Sequence, residues 1–288
     1  MHKIRLLAAS AVIVGLGTSA AYADPDGFLS GSLGPQQLSS GASGSTNSID
    51  GYTGAARLTG AYDFTPVLGV QGDILLRYDE LTNDFNSVEM TSLDAALHAY
   101  YREPENFLLG GVVQIGRTEM DYGSSNASID RSYAGIEAQA FFDDLTAYGQ
   151  IGIQGLSGDN LSDETDGWFI TGELRYFLTP DFKIEAHAGR SELSLGDTNT
   201  PFSVEYATVN VGFGLEYKFE DAPISLFGTY DYATSEFTGP STVTIDTHRV
   251  LIGAKFNIGA ETLQERDRAG AALKPVDFGT LPVPGGPS

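Results

Sequence analysis

The residues best suited to acid–base chemistry are three histidines. His98 and His187 lie on the polar side of alternating segments, and His248 lies on the other side of its own segment. A lipid hydrolase or deacylase would need one of them within hydrogen-bond reach of a serine or a carboxylate. The sequence after residue 23 has no His-x-Ser arrangement and no Gly-x-Ser-x-Gly motif, so it predicts no catalytic residues and favours a protein that is not an enzyme.

Metal and cofactor chemistry have equally little support. Asp159, Asp163, Glu164 and Asp166 offer the oxygen ligands that Ca²⁺ and Mg²⁺ prefer, but the spacing of an EF-hand loop is absent. We therefore interpret them as a solvated acidic loop. The chain has no Gly-x4-Gly-Lys-Ser/Thr motif and no cysteine, so we expect no cofactor, no nucleotide site, no metal–thiolate site and no disulfide.

The overall charge excludes one large class of partners. The 288 residues include 38 Asp and Glu against 16 Lys and Arg, a formal charge of −22. A nucleic-acid-binding surface needs clustered basic residues, so nucleic acid is not an expected partner. The mean hydropathy is −0.10, while 41% of the residues are apolar and 11% aromatic. These values suit neither a helical membrane bundle nor a disordered acidic chain.

The first 23 residues have the pattern of a signal peptide. Lys3 and Arg5 precede an apolar stretch from Leu6 to Gly17, and Ala21-Tyr22-Ala23 matches a cleavage site. We therefore predict export, with Asp24 as the first residue of the mature chain. No later apolar run reaches the 18 or so residues that a spanning helix needs.

Residues 24–259 are predicted to form β-strands. Segments with a period of two residues indicate twelve strands, separated alternately by tight turns and longer polar loops. The longest predicted loop is Pro35 to Ile49. The predicted segments are 27–34, 50–63, 67–79, 88–102, 106–120, 128–142, 145–157, 167–178, 182–195, 202–219, 223–236 and 242–259.

The two faces of these strands differ in polarity. One face is aliphatic between two groups of aromatic residues, as expected where aromatic rings lie at the two interfaces of a membrane. The predicted girdle residues are Tyr52, Tyr62, Phe64, Tyr78, Tyr101, Phe107, Phe142, Trp168, Tyr176, Phe182, Tyr217, Phe219 and Phe256. The other face would line the lumen with Arg57, Asp73, Arg77, Asp94, His98, Arg102, Glu137, Glu173, Arg175, Lys183, Glu185, Glu216, Lys218, Arg249 and Lys255. We predict an all-β fold, an up-and-down antiparallel transmembrane β-barrel of about twelve strands; a soluble eight-stranded barrel would lack the girdles.

With these features the chain resembles the porin-like outer-membrane β-barrel proteins of Gram-negative bacteria. The resemblance covers residues 27–259 and includes the last strand, Arg249 to Phe256, which is similar to the assembly signal of that class. It implies location in the outer membrane. It also implies contact with outer-membrane lipid and lipopolysaccharide, and with the barrel-assembly machinery during insertion. The sequence leaves the oligomeric state open.

Residues 260–288 differ in composition from the barrel. Thr262-Leu263-Gln264-Glu265 is a capping-box pattern that predicts a short helix to about Ala272. After Lys274 the sequence is rich in proline and glycine, so we predict a disordered tail on the periplasmic side.

Three functions are compatible with this architecture. The favoured one is a passive channel for small hydrophilic solutes or ions, because the inward charges have both signs and can line water. The second is a structural or adhesive scaffold whose lumen is closed by salt bridges among those charges. The least favoured is an outer-membrane lipid-modifying enzyme.

Overall fold

The computed structural model of the chain describes residues 25–42, 45–82, 87–123, 126–158, 165–196, 203–239 and 242–278. Within them, twelve antiparallel strands form one closed barrel in which neighbours in sequence pair and β1 also pairs with β12. The all-β, twelve-stranded barrel predicted from the sequence is therefore confirmed. The strands are β1 Asp26–Ala42, β2 Ser45–Asp63, β3 Leu68–Thr82, β4 Ser87–Glu103, β5 Phe107–Asp121, β6 Asn126–Phe142, β7 Leu145–Gly158, β8 Thr165–Thr179, β9 Phe182–Gly196, β10 Ser203–Lys218, β11 Ile224–Thr238 and β12 Thr242–Ile258.

The barrel has two different ends. The turn rim carries the start of β1, the end of β12 and the connections 64–67, 104–106, 143–144, 180–181 and 219–223. The loop rim carries the other connections. The strands have 14 to 19 residues, more than the 9–11 or so that cross a bilayer. Each strand can therefore extend beyond the apolar band.

The first hairpin corrects the predicted loop at 35–49. β1 continues to Ala42 and β2 begins at Ser45, and pairs such as Gln37 with Asp50 extend the ladder towards the loop rim. The outward side chains of this extension are polar, as at Gln37 and Ser48, so its outer face shows no apolar alternation. Its strand conformation is held by the main-chain ladder, which a hydrophobic pattern does not reveal.

The end of the chain also differs from its prediction. The short helix is present as α1, Leu263–Ala269, and Thr262 caps it by accepting a 3.0 Å hydrogen bond from the N–H of Glu265. Residues 270–278, which we call the tail segment, are not disordered but run inside the barrel. A proline-rich segment cannot form a core by itself, but here the inner wall supplies its partners.

The interior is filled in three layers from the turn rim to the loop rim: α1, the tail segment and a cluster of apolar side chains. The predicted signal peptide, residues 279–288 and most of the predicted acidic loop at 159–166 lie outside the described residues. In the part of the chain that the structure describes, no helix is long and apolar enough to cross a membrane.

Candidate functional site in the lumen

The fifteen side chains that the sequence assigns to the lumen lie inside the barrel, and eleven of those residues are buried. All except Arg102 lie within 4.0 Å of an ionisable group of the opposite type. Arg102 instead stacks over Tyr100 and donates a 2.7 Å hydrogen bond to the carbonyl of Gly270. Because buried charges are costly without partners, this pairing explains how the wall tolerates so many of them.

One group of paired charges lies on β2, β3, β4 and β6. Asp73 accepts hydrogen bonds from Arg57 Nη2 at 2.7 Å and from Gln71 Nε2 at 2.8 Å. His98 lies between two carboxylates, with Nε2 3.3 Å from Asp73 Oδ2 and Nδ1 2.9 Å from Glu137 Oε1. The His98 side chain has no exposed surface. The group is therefore closed off from solvent at this histidine.

A second group links the opposite wall to α1. Glu216 lies 2.7 Å from Lys255 Nζ, 2.9 Å from Arg266 Nη2 and 3.5 Å from Lys183 Nζ. Lys183 also pairs with Glu185 at 2.7 Å. Arg266 belongs to α1, so this group joins the helix to β9, β10 and β12.

Further contacts hold α1 at the turn rim. Asp267 accepts a 2.6 Å hydrogen bond from Arg175 Nη1. Asp26, at the start of β1, accepts hydrogen bonds from the N–H groups of Ala260 at 3.0 Å and Ala271 at 2.5 Å. The first strand therefore holds the chain on both sides of the helix.

The tail segment extends from the turn rim to the middle of the barrel. Gln71, near the start of β3, makes two hydrogen bonds to the main chain of Leu273, at 2.8 and 3.0 Å. Gln114, halfway along β5, makes two to the main chain of Val276, at 3.0 and 2.7 Å. Successive tail residues therefore contact the wall at positions successively farther from the turn rim.

Charged side chains of the tail segment also pair with the wall. Lys274 Nζ lies 2.6 Å from Glu173 and 3.0 Å from Glu185. Asp277 forms an ion pair with Arg77, closer to the loop rim. The tail thus supplies partners of both signs to the lumen.

The apolar side chains of the tail segment fill two clusters. Leu273 is buried with Tyr100, Leu108, Phe141 and Tyr148. Val276 and Phe278 pack against Phe169, and the rings of Phe278 and Phe169 are 6.4 Å apart. These contacts add apolar burial to the hydrogen bonds and ion pairs.

A cavity of about 280 Å³ lies beside the tail segment. Lys274, Pro275, Asp277 and Phe278 border it on one side, and the wall on the other. Three polar wall atoms at this cavity, Gln36 Nε2, Asn210 Oδ1 and Arg249 Nε, have no hydrogen-bond partner among the described residues. The wall's polar lining includes Ser32, Gln36, Thr171, Asn210, Asp231, Thr247 and Arg249.

The interior near the loop rim is apolar, a feature that the inward charges do not predict. We call this cluster the apolar collar; its buried members are Leu81, Met90, Met120, Ile129, Leu156, Leu193, Tyr206 and Phe237. A sequence signal existed, since these residues lie on the inward face near strand ends. The glutamines that hold the tail carried no comparable signal, because an inward glutamine looks the same whether it contacts water or a peptide.

The predicted girdle residues lie on the outer surface. Phe64 is 58% exposed near the turn rim, and Tyr52 is 72% exposed towards the loop rim. At the turn rim the rings form contacts such as Tyr217 with Phe219, at 5.4 Å. Between the two levels, the exposed outer side chains are mostly aliphatic, among them Leu33, Leu97, Val113, Ile136 and Ile151, with Phe213 as an exception.

Comparison with known proteins adds structural neighbours. No family model and no curated protein sequence matches the chain. The translocator domain of the autotransporter NalP from Neisseria meningitidis is 14% identical with a TM-score of 0.51, covering 80% of this chain and 88% of that one. An outer membrane channel from Pseudomonas putida F1 is 15% identical with a TM-score of 0.54, covering 84% of this chain and 100% of that one. Together with the closed twelve-stranded barrel and its apolar outer surface, these matches identify the chain as an outer-membrane β-barrel in fold.

Proposed function

We propose that this protein is a channel of the outer membrane that passes small hydrophilic solutes or ions, and that α1 and the tail segment close it from within. The cavity of about 280 Å³ beside the tail carries the proposal. It separates the tail from a wall that includes Ser32, Asn210 and Thr247. Removal of the tail would join this cavity to the space that the tail now fills, leaving one passage that leads to the apolar collar near the loop rim.

The dimensions of the barrel support a passage of this kind. Twelve strands spaced about 4.8 Å apart and tilted by about 40° enclose a backbone cylinder roughly 24 Å across. Inward side chains reduce this to a lumen of about 10–14 Å where they are small. An extended peptide occupies most of such a lumen, so its presence or absence would control conduction.

The manner in which the tail is held supports a removable closure. Its contacts are hydrogen bonds, ion pairs and a few apolar side chains, and no strand of the barrel includes it. A hydrogen bond contributes only about 0.5–1.5 kcal/mol net. The matching Pseudomonas putida structure is described as an outer membrane channel, which also favours conduction over a purely structural role.

Single-channel recording in a planar bilayer tests the proposal. A protease recognition sequence is inserted between Gly259 and Ala260, and the full chain is folded before it is cut and washed in high salt. We expect low conductance from the uncut chain and larger, steady conductance after the released segment has been removed. Mass spectrometry checks the removal, and unboiled gel mobility checks that the barrel remains folded. A barrel that has lost its tail and still does not conduct would contradict the proposal.

A closed structural scaffold is the second candidate. The apolar collar favours it, because eight buried side chains lie near the loop rim, including Leu81, Met120 and Phe237, and in a scaffold they would keep water out whether or not the tail is present. The same recording separates the two candidates. A catalytic role is not part of our proposal: His98 is fully enclosed between two carboxylates, an arrangement that suits pairing rather than acid–base catalysis on an external substrate.

A further inference from the structure

The wall of the lumen contacts the main chain of the tail segment in a regular way. Gln71 accepts from the N–H of Leu273 at 3.0 Å and donates to its carbonyl at 2.8 Å. Gln114 accepts from the N–H of Val276 at 2.7 Å and donates to its carbonyl at 3.0 Å. Each glutamine thus satisfies both polar main-chain groups of one residue, as a neighbouring β-strand would.

The residues between these two points are held in a similar way. The carbonyl of Lys274 accepts a 2.9 Å hydrogen bond from Gln150 Nε2, and its N–H donates to Tyr148 Oη at 3.4 Å. Pro275 has no N–H that needs a partner. The wall therefore binds the main-chain atoms from Leu273 to Val276, and these contacts do not depend on the side chains of those residues.

Side-chain sites accompany this main-chain recognition. Leu273 and Val276 enter two apolar clusters, Lys274 reaches two carboxylates, and Asp277 pairs with Arg77. Hydrogen bonds to an extended main chain, combined with separate sites for its side chains, are how proteins bind extended peptides. The inner wall has the same construction.

We propose that the lumen is a binding site for an extended peptide, and that the tail segment is its tethered occupant. The site accepts the same peptide in trans once the tethered copy has left. This inference rests on the proposed function, because the tail must be displaceable. Extended peptides are then the class of molecule that the channel binds.

A peptide-binding assay on the cut chain tests the inference. The full chain is folded, cut after Gly259 and stripped of its tail, and a fluorescein-labelled synthetic peptide of residues 260–278 is added. Fluorescence anisotropy should show saturable binding. N-methylation of the peptide at Leu273 and Val276 removes the two donors to Gln71 and Gln114, and we expect it to weaken binding about tenfold or more. A peptide N-methylated at Ala272, whose N–H has no hydrogen-bond partner within the described residues, is the control and should bind within about twofold of the unmodified peptide.

Variants of the wall provide an independent arm. Gln71→Leu and Gln114→Leu should each weaken the peptide about tenfold. Gln139→Leu is the matched control: Gln139 is an equally buried inward glutamine, and its amide atoms have no hydrogen-bond partner in the described part of the chain. Its substitution should leave the affinity unchanged. The modified peptides do not alter the barrel, so they remain decisive even if a wall variant folds poorly.

The outcomes separate this inference from the channel itself. Absence of saturable binding overturns it, as does equal affinity of the doubly N-methylated and unmodified peptides. A stripped barrel that conducts but binds no peptide leaves the channel standing and rejects the peptide site. A stripped barrel that binds the peptide but never conducts supports the peptide site and rejects the channel.

Discussion

Lys274 and Glu173 form a 2.6 Å ion pair that joins the tail segment to β8. The Glu173 side chain is only 6% exposed, and Lys274 also lies 3.0 Å from Glu185 on the adjacent strand. Lys274 therefore lies between two carboxylates that would repel each other in its absence. The tail contributes to the electrostatic stability of the wall that holds it.

Substitution of Lys274 should loosen the tail. Lys274→Met retains the length of the side chain but leaves Glu173 and Glu185 without their tail cation. The Lys274 side chain is 31% exposed. We therefore expect the substitution to weaken the binding of the tail to the wall by about 1–2 kcal/mol, less than the loss of a fully buried pair would. This corresponds to a rise of roughly 5- to 30-fold in the ratio of open to closed channel, measured in single-channel recordings. Arg117→Met, which removes a half-exposed cation paired with Asp130 rather than with the tail, should leave the ratio unchanged. Equal open fractions for Lys274→Met and the unaltered chain would argue against closure by the tail.

The closed barrel should resist detergent. Every strand is paired on both sides, so SDS at room temperature meets no free sheet edge from which unfolding can begin. The protein folded in detergent should migrate differently on a gel before and after boiling. Identical mobility of boiled and unboiled samples, combined with a detergent-independent soluble monomer, would exclude a membrane barrel.

Two adjacent residues of β1 test the assignment of the faces. Leu33 is 66% exposed on the outer surface, whereas Ser32 borders the internal cavity. Leu33→Arg should destabilise the membrane-inserted barrel by about 1–2 kcal/mol, less than at the bilayer midplane, because its charge would lie in lipid close to the level of Tyr52. Ser32→Arg introduces the same charge into a polar cavity and should cost far less. The free energy of unfolding in urea, measured in lipid vesicles, gives both values, and a reversed ranking would invert the faces.

The open channel should prefer cations weakly. Near the loop rim, Glu80, Asp121 and Asp166 are exposed acidic residues, and acidic groups at a mouth concentrate cations over a Debye length of about 8–10 Å. Most wall charges keep a partner on the wall after the tail has left, such as Arg57 with Asp73 and Lys255 with Glu216, so they should add little preference of their own. Reversal potentials of the cut chain in a KCl gradient should show a cation preference that declines as salt rises. An anion preference at low salt would assign control to basic groups such as Arg249.

Much of the barrel follows from the sequence because a membrane strand has a simple requirement. Residues that alternate between lipid and lumen must alternate in polarity, and the strand that carries Leu97 and His98 illustrates it: Leu97 is 54% exposed on the outside, and His98 is fully buried inside. The ends of the strands did not follow. Residues such as Ser39 and Ser48 pair across β1 and β2, yet both side chains are polar, so only their main-chain hydrogen bonds define them as strand.

The sequence by itself determined the strand number, the two faces and the helix that Thr262 caps, because each depends on neighbouring residues and on the solvent they meet. The tertiary structure alone decided what fills the lumen. Leu273 lies 202 residues from Gln71 in the chain, and nothing local to either residue indicates that a proline-rich tail enters the barrel. That choice depends on the fit between an extended peptide and a wall assembled from many strands, and such a surface exists only after the barrel has closed.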